Sequence, residues 1–178
     1  KPSPTLAVTA KSVELKQQGI PVIDLGVGEP DFNTPDPIKD AGIQAIQDNH
    51  TRYMPVGGTA ALKSAIINKF ARDNALEYTH DEILVSSGAK HSIYNLACAL
   101  LNPGDEAIIP SPYWVSYPDI VALFDAVPII AHTNYEDNFK LSPKSLKNLI
   151  TAKTKLIFLN SPSNPTGVAY TKEELQAL

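Results

Sequence analysis

The sequence predicts an α/β fold on a largely parallel sheet with helices over both faces, and two observations carry that prediction. From Glu82 onward, short apolar runs of strand length alternate with amphipathic runs of helical length. Parallel neighbours need a crossover connection, so this alternation stacks helices on both sides of a sheet. The chain is also long enough, at 178 residues, to bury a core, and its 43% hydrophobic and 19% charged content is that of an ordinary globular protein. One domain, or one large piece of a domain, is expected.

Taken in order, Ala7 to Gln18 reads as a helix stopped by Gly19, and Ile20 to Leu25 as a short strand. Gly26-Val27-Gly28-Glu29-Pro30-Asp31-Phe32 cannot continue a regular element. Pro37 to Ile46 and Thr59 to Arg72 carry apolar residues at helical spacing, with Leu62, Ile66 and Phe70 on one face, and they flank the turn Met54-Pro55-Val56-Gly57-Gly58. Then come strand Ile83 to Ser86, helix Lys90 to Leu101, strand Glu106 to Ile109 and helix Val115 to Phe124. Val127 to Ala131 is a further strand, Pro143 to Ile150 a helix capped by Ser142, and Lys155 to Leu159 a last strand. Thr171 with Glu174 forms a capping box, each side chain satisfying a backbone N–H at a helix start. The chain lacks an initial Met and stops at Leu178 inside that new helix, so it is read as a fragment whose missing part lies mainly downstream.

A formal charge of −4 with no Lys/Arg cluster argues against non-specific nucleic-acid binding. The single Cys98 lies in the apolar stretch Leu96 to Leu101, cannot form an intrachain disulfide, and reads as a small core residue; a reducing compartment fits. No signal-like start and no apolar run of membrane-spanning length are present, which reads as a soluble, cytoplasmic protein. No metal site, internal repeat or low-complexity segment is expected.

In parallel α/β sheets ligands bind beyond the carboxyl ends of the strands, so chemistry is sought at the strand exits. The first, Ser86-Ser87-Gly88-Ala89-Lys90, passes through small residues straight into a helix. Small side chains let backbone N–H groups approach an anion, and the helix N-terminus adds its positive dipole end. It can seat a phosphate, though taken alone it reads first as a tight strand-to-helix turn. It matches neither a Walker loop nor a GxGxxG turn. The second, Pro110-Ser111-Pro112-Tyr113-Trp114, carries the lone Trp and offers a flat surface for a planar ring, or else a core aromatic. The third, Ala131 to Asn134, shows nothing usable. The fourth, Asn160-Ser161-Pro162-Ser163-Asn164-Pro165-Thr166-Gly167, can present the Asn164 amide from a rigid loop, and its X-Pro bonds are candidates for a cis isomer. Together the exits would suit a phosphorylated planar heterocycle.

These residues resemble the class I aminotransferases, most closely the aspartate aminotransferase-like subgroup of bacteria. The resemblance rests on Gly28-Glu29-Pro30-Asp31-Phe32, Tyr53 before Gly57-Gly58, Gly88-Ala89-Lys90, Ser111-Pro112-Tyr113-Trp114-Val115-Ser116-Tyr117-Pro118 and Ser161-Pro162-Ser163-Asn164-Pro165-Thr166-Gly167, in family order across nearly the whole chain. It implies the three-layer αβα large domain of the fold type I pyridoxal-phosphate (PLP) enzymes, incomplete here. Residues 1–35 would be an N-terminal arm and small-domain segment, and 36–178 the first part of the large PLP-binding domain.

It also implies roles. Gly88, Ala89 and Lys90 would lie at the PLP phosphate, and Lys90 would also reach an acidic substrate's carboxylate. Trp114 would stack on the pyridine ring and Asn164 would hydrogen-bond its phenolic oxygen, both bordering the substrate as well. Gly28 would offer its backbone to the substrate α-carboxylate, and Tyr53 would reach the phosphate of the partner subunit in a homodimer with shared active sites. Pro112 and Pro165 would follow cis bonds. His91 stands where relatives often have Gln, and a His at a helix N-terminus favours its neutral form because the dipole opposes added positive charge. The family's catalytic lysine, with its Asp, Arg and Tyr partners, would lie beyond Leu178, so no catalytic residue is assigned in these 178 residues and the piece alone is expected to be inactive.

The implied activity is transamination between an amino acid, aspartate in the first instance, and a 2-oxo acid such as 2-oxoglutarate. Alternatives are a prephenate or aromatic aminotransferase, another PLP reaction on the same scaffold, a non-catalytic homologue, or a domain binding a different phosphorylated ligand.

Overall fold

A computed structural model describes residues 4–26 and 28–178, so Val27 of the expected loop lies outside the described residues. The chain divides into two compact units, Lys1–Tyr53 and Met54–Leu178.

In the first unit, helix α1 (Pro4–Gln17) ends as its sequence predicts: the amides of Gly19 and Ile20 return to the carbonyls of Lys16 and Leu15 at 3.0 and 3.1 Å. Ile20 to Leu25 is not a strand. A strand needs a neighbour to bond to, and no described segment pairs with it. Instead, the Asp24 carboxylate accepts from Ser12 Oγ at 2.7 Å, Lys16 Nζ at 3.3 Å and the Gly26 amide at 3.1 Å. These bonds, the Ser12 hydroxyl foremost, hold the Asp24 carboxyl below its ordinary range and leave Ile23 and Leu25 each 90% exposed. Helix α2 (Asp36–Gln47) follows, with Pro37 in its first turn, where a missing N–H costs nothing.

The second unit opens with α3 (Ala60–Asn74), capped by the Thr59 hydroxyl accepting from the Leu62 amide at 3.2 Å. After a 3₁₀ turn at His80–Glu82 come α4 (Ala89–Leu100), β1 (Glu106–Ser111), α5 (Ser116–Ala122), β2 (Val127–His132), α6 (Pro143–Leu149), β3 (Thr154–Ile157) and α7 (Lys172–Ala177). The strands form one parallel sheet in the order β2-β1-β3, with Ile109 opposite Ile130 and Ile108 opposite Ile157. Each of the three strands falls on an apolar run that predicts it.

Central strand β1 is buried on both faces, and its period of two sorts the layers. Ala107 and Ile109 pack with Ala97, Leu101, Ile120 and Val121 from α4, α5 and their ends, whereas Ile108 packs with Ala131, Leu141 and Leu146 on the α6 side. The helices thus cover both faces of β1, giving the α/β layering the sequence predicts. Cys98 is exposed rather than in the core. The buried positions of α4 and its end are Ala97 and Leu101, one turn apart, and Cys98 is rotated about 100° off that stripe. Among the described residues no helix is long and apolar enough to cross a membrane.

The Thr171–Glu174 capping box forms, with Thr171 N to Glu174 Oε2 at 2.7 Å and Glu174 N to Thr171 Oγ1 at 3.2 Å. Lys140 Nζ adds bonds to both Glu174 oxygens at 2.8 and 2.7 Å, joining the loop before α6 to α7. The Lys140 ammonium, then the Thr171 amide, hold the Glu174 carboxyl below its ordinary value of about 4.5. A depressed carboxylate contributes stability above its unfolded pKa and loses it as pH falls through the folded one. Glu174→Gln should therefore flatten the acid limb of the stability profile below about pH 4.5. Thermal unfolding over a pH series checks this, and an unchanged limb refutes it.

Candidate functional site

Because β1, β2 and β3 are parallel, their carboxyl ends open on one edge, with Ser111 paired to His132. A loop connects each of these ends to the next helix, and a ligand beyond the sheet meets those loops first.

The first predicted exit follows no true strand. Ile83 to Ser86 pairs with no strand, and its tie to the Met54–Gly58 turn is the Val85 amide bonded to the Gly57 carbonyl at 3.0 Å. The turn after it is nevertheless shaped for an anion. Gly88, with φ 84° and ψ 166°, is the N-cap of α4 and supplies no side-chain acceptor to the helix. This backbone region belongs almost solely to glycine. A Cβ on Gly88 would have nothing within 4 Å, so the space above the turn is open. The amides of Ala89, Lys90 and His91 have no side-chain acceptor among the described residues. Ser86 Oγ is buried with no hydrogen-bond partner. Orphaned donors at a helix start, with a glycine that lets a ligand approach, fit a phosphate.

The second exit begins with a cis Ser111–Pro112 bond and carries a half-buried Trp114 into α5. Lys90 Nζ lies 4.7 Å from the Trp114 ring centroid, which brings the first and second exits together. Trp114 also meets Tyr117 edge-on at 5.5 Å, and Tyr117 stacks on Phe158 at 4.9 Å, just past β3. Burial raises the Tyr117 hydroxyl above its ordinary pKa, so it stays protonated.

The fourth exit contains two cis bonds, Ser161–Pro162 and Asn164–Pro165. The resemblance implies the second, and the first is one of the candidate X-Pro bonds of this loop. Pro112 and Tyr113 of the second exit and Asn160, Ser163 and Asn164 of the fourth line one cavity. Asn164 is exposed there, and its side-chain amide bonds to no described residue.

Several residues that hold these loops carry no sequence signal. The Asn160 side-chain carbonyl accepts the Asn164 amide at 2.7 Å and so sets that residue's position. Ser161 Oγ accepts from the Tyr170 amide at 3.0 Å, and Tyr170 Oη accepts from the Leu141 amide at 2.7 Å. The Thr133 hydroxyl donates to the Ser111 carbonyl, so the third exit, unread in the sequence, braces the second. Such contacts join single polar residues distant in sequence, and no motif marks them. Gly28 and Tyr53 belong to the first unit; Tyr53 is fully exposed.

The family described as aminotransferase class I and II matches residues 20–178. The chain is 58% identical over all of its 178 residues to an aspartate/prephenate aminotransferase of Nitrosomonas europaea, covering 45% of that protein. It is 58% identical over 175 residues, 98% of the chain, to an aspartate aminotransferase of Bacillus sp. strain YM-2, again covering 45% of it. Among solved structures, an aspartate aminotransferase from Thermus thermophilus with maleate superposes with a TM-score of 0.95 at 44% identity, over 99% of this chain and 46% of that one. The chain therefore spans about half the length of the relatives it matches.

Proposed function

This chain belongs to the class I and II aminotransferases, and from that premise we propose that the whole protein is a PLP-dependent aminotransferase for which these residues supply much of the cofactor's cradle. One observation carries the reading: the uncapped start of α4 meets Trp114 through Lys90, while the Trp114 and Asn164 loops wall a common cavity. PLP, when bound, supplies the electron sink that lets a substrate α-carbon give up its proton.

In this reading Gly88, Ala89 and Lys90 lie at the phosphate, with the amides of Ala89 and Lys90 donating to it. Trp114 orients the ring and Asn164 donates to the phenolic oxygen. Lys90 Nζ is placed for an acidic substrate's side-chain carboxylate, with Trp114 and Asn164 lining the substrate side. Gly28 offers its backbone to the α-carboxylate. Tyr53, exposed as it is, serves the phosphate of a second subunit in a homodimer. The catalytic lysine is assigned to the part of the relatives' length that this chain does not span. Residues 1–35 are assigned to an arm and small-domain segment, residues 36–178 to the large domain, and the protein to the cytoplasm.

Aspartate and 2-oxoglutarate are the proposed pair, supported by the relatives' names. Prephenate is a second reading, since one relative carries both activities in its name.

Asn164→Ala in the full-length protein tests the site. A donor to an ionised oxygen favours the ionised form, so its removal should move the pH midpoint of the bound cofactor's near-visible absorbance upward by about one unit or more. An unmoved midpoint removes Asn164 from the role.

A further inference from the structure

We infer that His91 is a positioning residue, a neutral reach-back cap that fixes the turn before α4 without bringing a negative charge to the anion seat. The inference rests on the reading of that turn as the cofactor's phosphate site.

Counting from Gly88 as N-cap, His91 is the third residue of the helix, the position from which Glu or Gln reaches back in a capping box. Its ring does the same work one residue further out: the Ser87 amide donates to His91 Nδ1 at 3.1 Å. The next amide is also satisfied inside the turn, Gly88 N to Ser86 O at 2.9 Å. Both donors ahead of the helix are thus engaged, which holds Gly88 in its unusual conformation and leaves the amides of Ala89, Lys90 and His91 as the donors without a side-chain acceptor among the described residues.

Glu is favoured at this position of an ordinary helix, where its charge complements the dipole. Beside a bound phosphate that charge repels the ligand. The acceptor must then be neutral, and His with an unprotonated Nδ1 meets that requirement. Gln meets it too. The demand for an acceptor and the demand for neutrality can be separated, because Gln, Glu and Ala satisfy them in different combinations.

The experiment uses the full-length protein and three variants, H91Q, H91E and H91A. Apoprotein melting temperature reads the cap; the dissociation constant for PLP and the thermal shift of the apoprotein with inorganic phosphate read the seat. H91Q should melt with the wild type and bind PLP within about threefold of it, since the acceptor and neutrality are both kept. H91E should melt at or above the wild type yet bind PLP about tenfold or more weakly, with a smaller phosphate shift. H91A should melt about 2–4 °C lower and bind both ligands more weakly. If H91A and H91E bind PLP and phosphate like a binding-competent wild type, the inference falls alone. A wild type that binds neither ligand overturns the phosphate-seat reading, and the inference with it.

Discussion

Ile109→Ala in the full-length protein is expected to lower the unfolding free energy by about 2–5 kcal/mol and to weaken PLP binding with it. Ile109 is fully buried on the face of β1 that meets Ala97 and Leu101 on one side and Ile120 and Val121 on the other. Truncation leaves a cavity between the strand and both helices, in a core packed too tightly to close over it. Those helices carry the site: α4 begins at the Gly88 turn, and α5 follows the Trp114 loop. Ile108→Ala is the control, equally buried but packed toward Ala131, Leu141 and Leu146 near α6. It should cost similar stability and spare cofactor affinity. Denaturant unfolding with equilibrium PLP binding checks both; a loss under 1 kcal/mol for I109A, or equal weakening of PLP binding by I108A, refutes the argument.

The same division explains what was legible in the sequence. β1, β2 and β3 could be read because each is an apolar run that finds a parallel neighbour in the sheet. Ile20 to Leu25 and Ile83 to Ser86 have the same local character but no neighbouring strand among the described residues. Strand identity is a property of a pair, so a single segment cannot declare it. Helices declare themselves locally: Ser142 and Thr171 cap where their spacing predicts, and Thr59, which the spacing places inside its helix, caps it instead.

At the candidate site, the motifs could be placed on loops from the sequence because turns are encoded by Gly and Pro in short windows. How the loops meet was not legible. The approach of Lys90 to Trp114 depends on where α4 and α5 dock, and the brace from Thr133 to Ser111 links residues from adjacent strand ends. Cys98 was misread because an apolar stretch gives composition, whereas burial depends on helix phase.

Gly88→Ala should weaken PLP binding about tenfold or more while costing the fold about 1–3 kcal/mol. The added methyl meets nothing within 4 Å, so crowding is not the cause. The cost is conformational: at φ 84° and ψ 166° an L-residue is strained, and relief requires the backbone to rotate toward negative φ. That rotation swings the Ser86–Ala89 peptides and misaims the amides assigned to the phosphate. Gly104→Ala separates strain from function. Gly104 also has positive φ, 83°, and open space around its would-be Cβ, but it sits in the turn before β1, its amide bonded to the Asp125 carbonyl at 2.9 Å. That turn lies at the amino end of the strand, away from the edge where ligands bind. G104A should lower the melting temperature as G88A does and leave PLP affinity within about twofold. Equal affinity in G88A and the wild type would show that the turn's conformation is not what holds the phosphate. Equal weakening in both variants would show that global strain, not amide placement, governs binding.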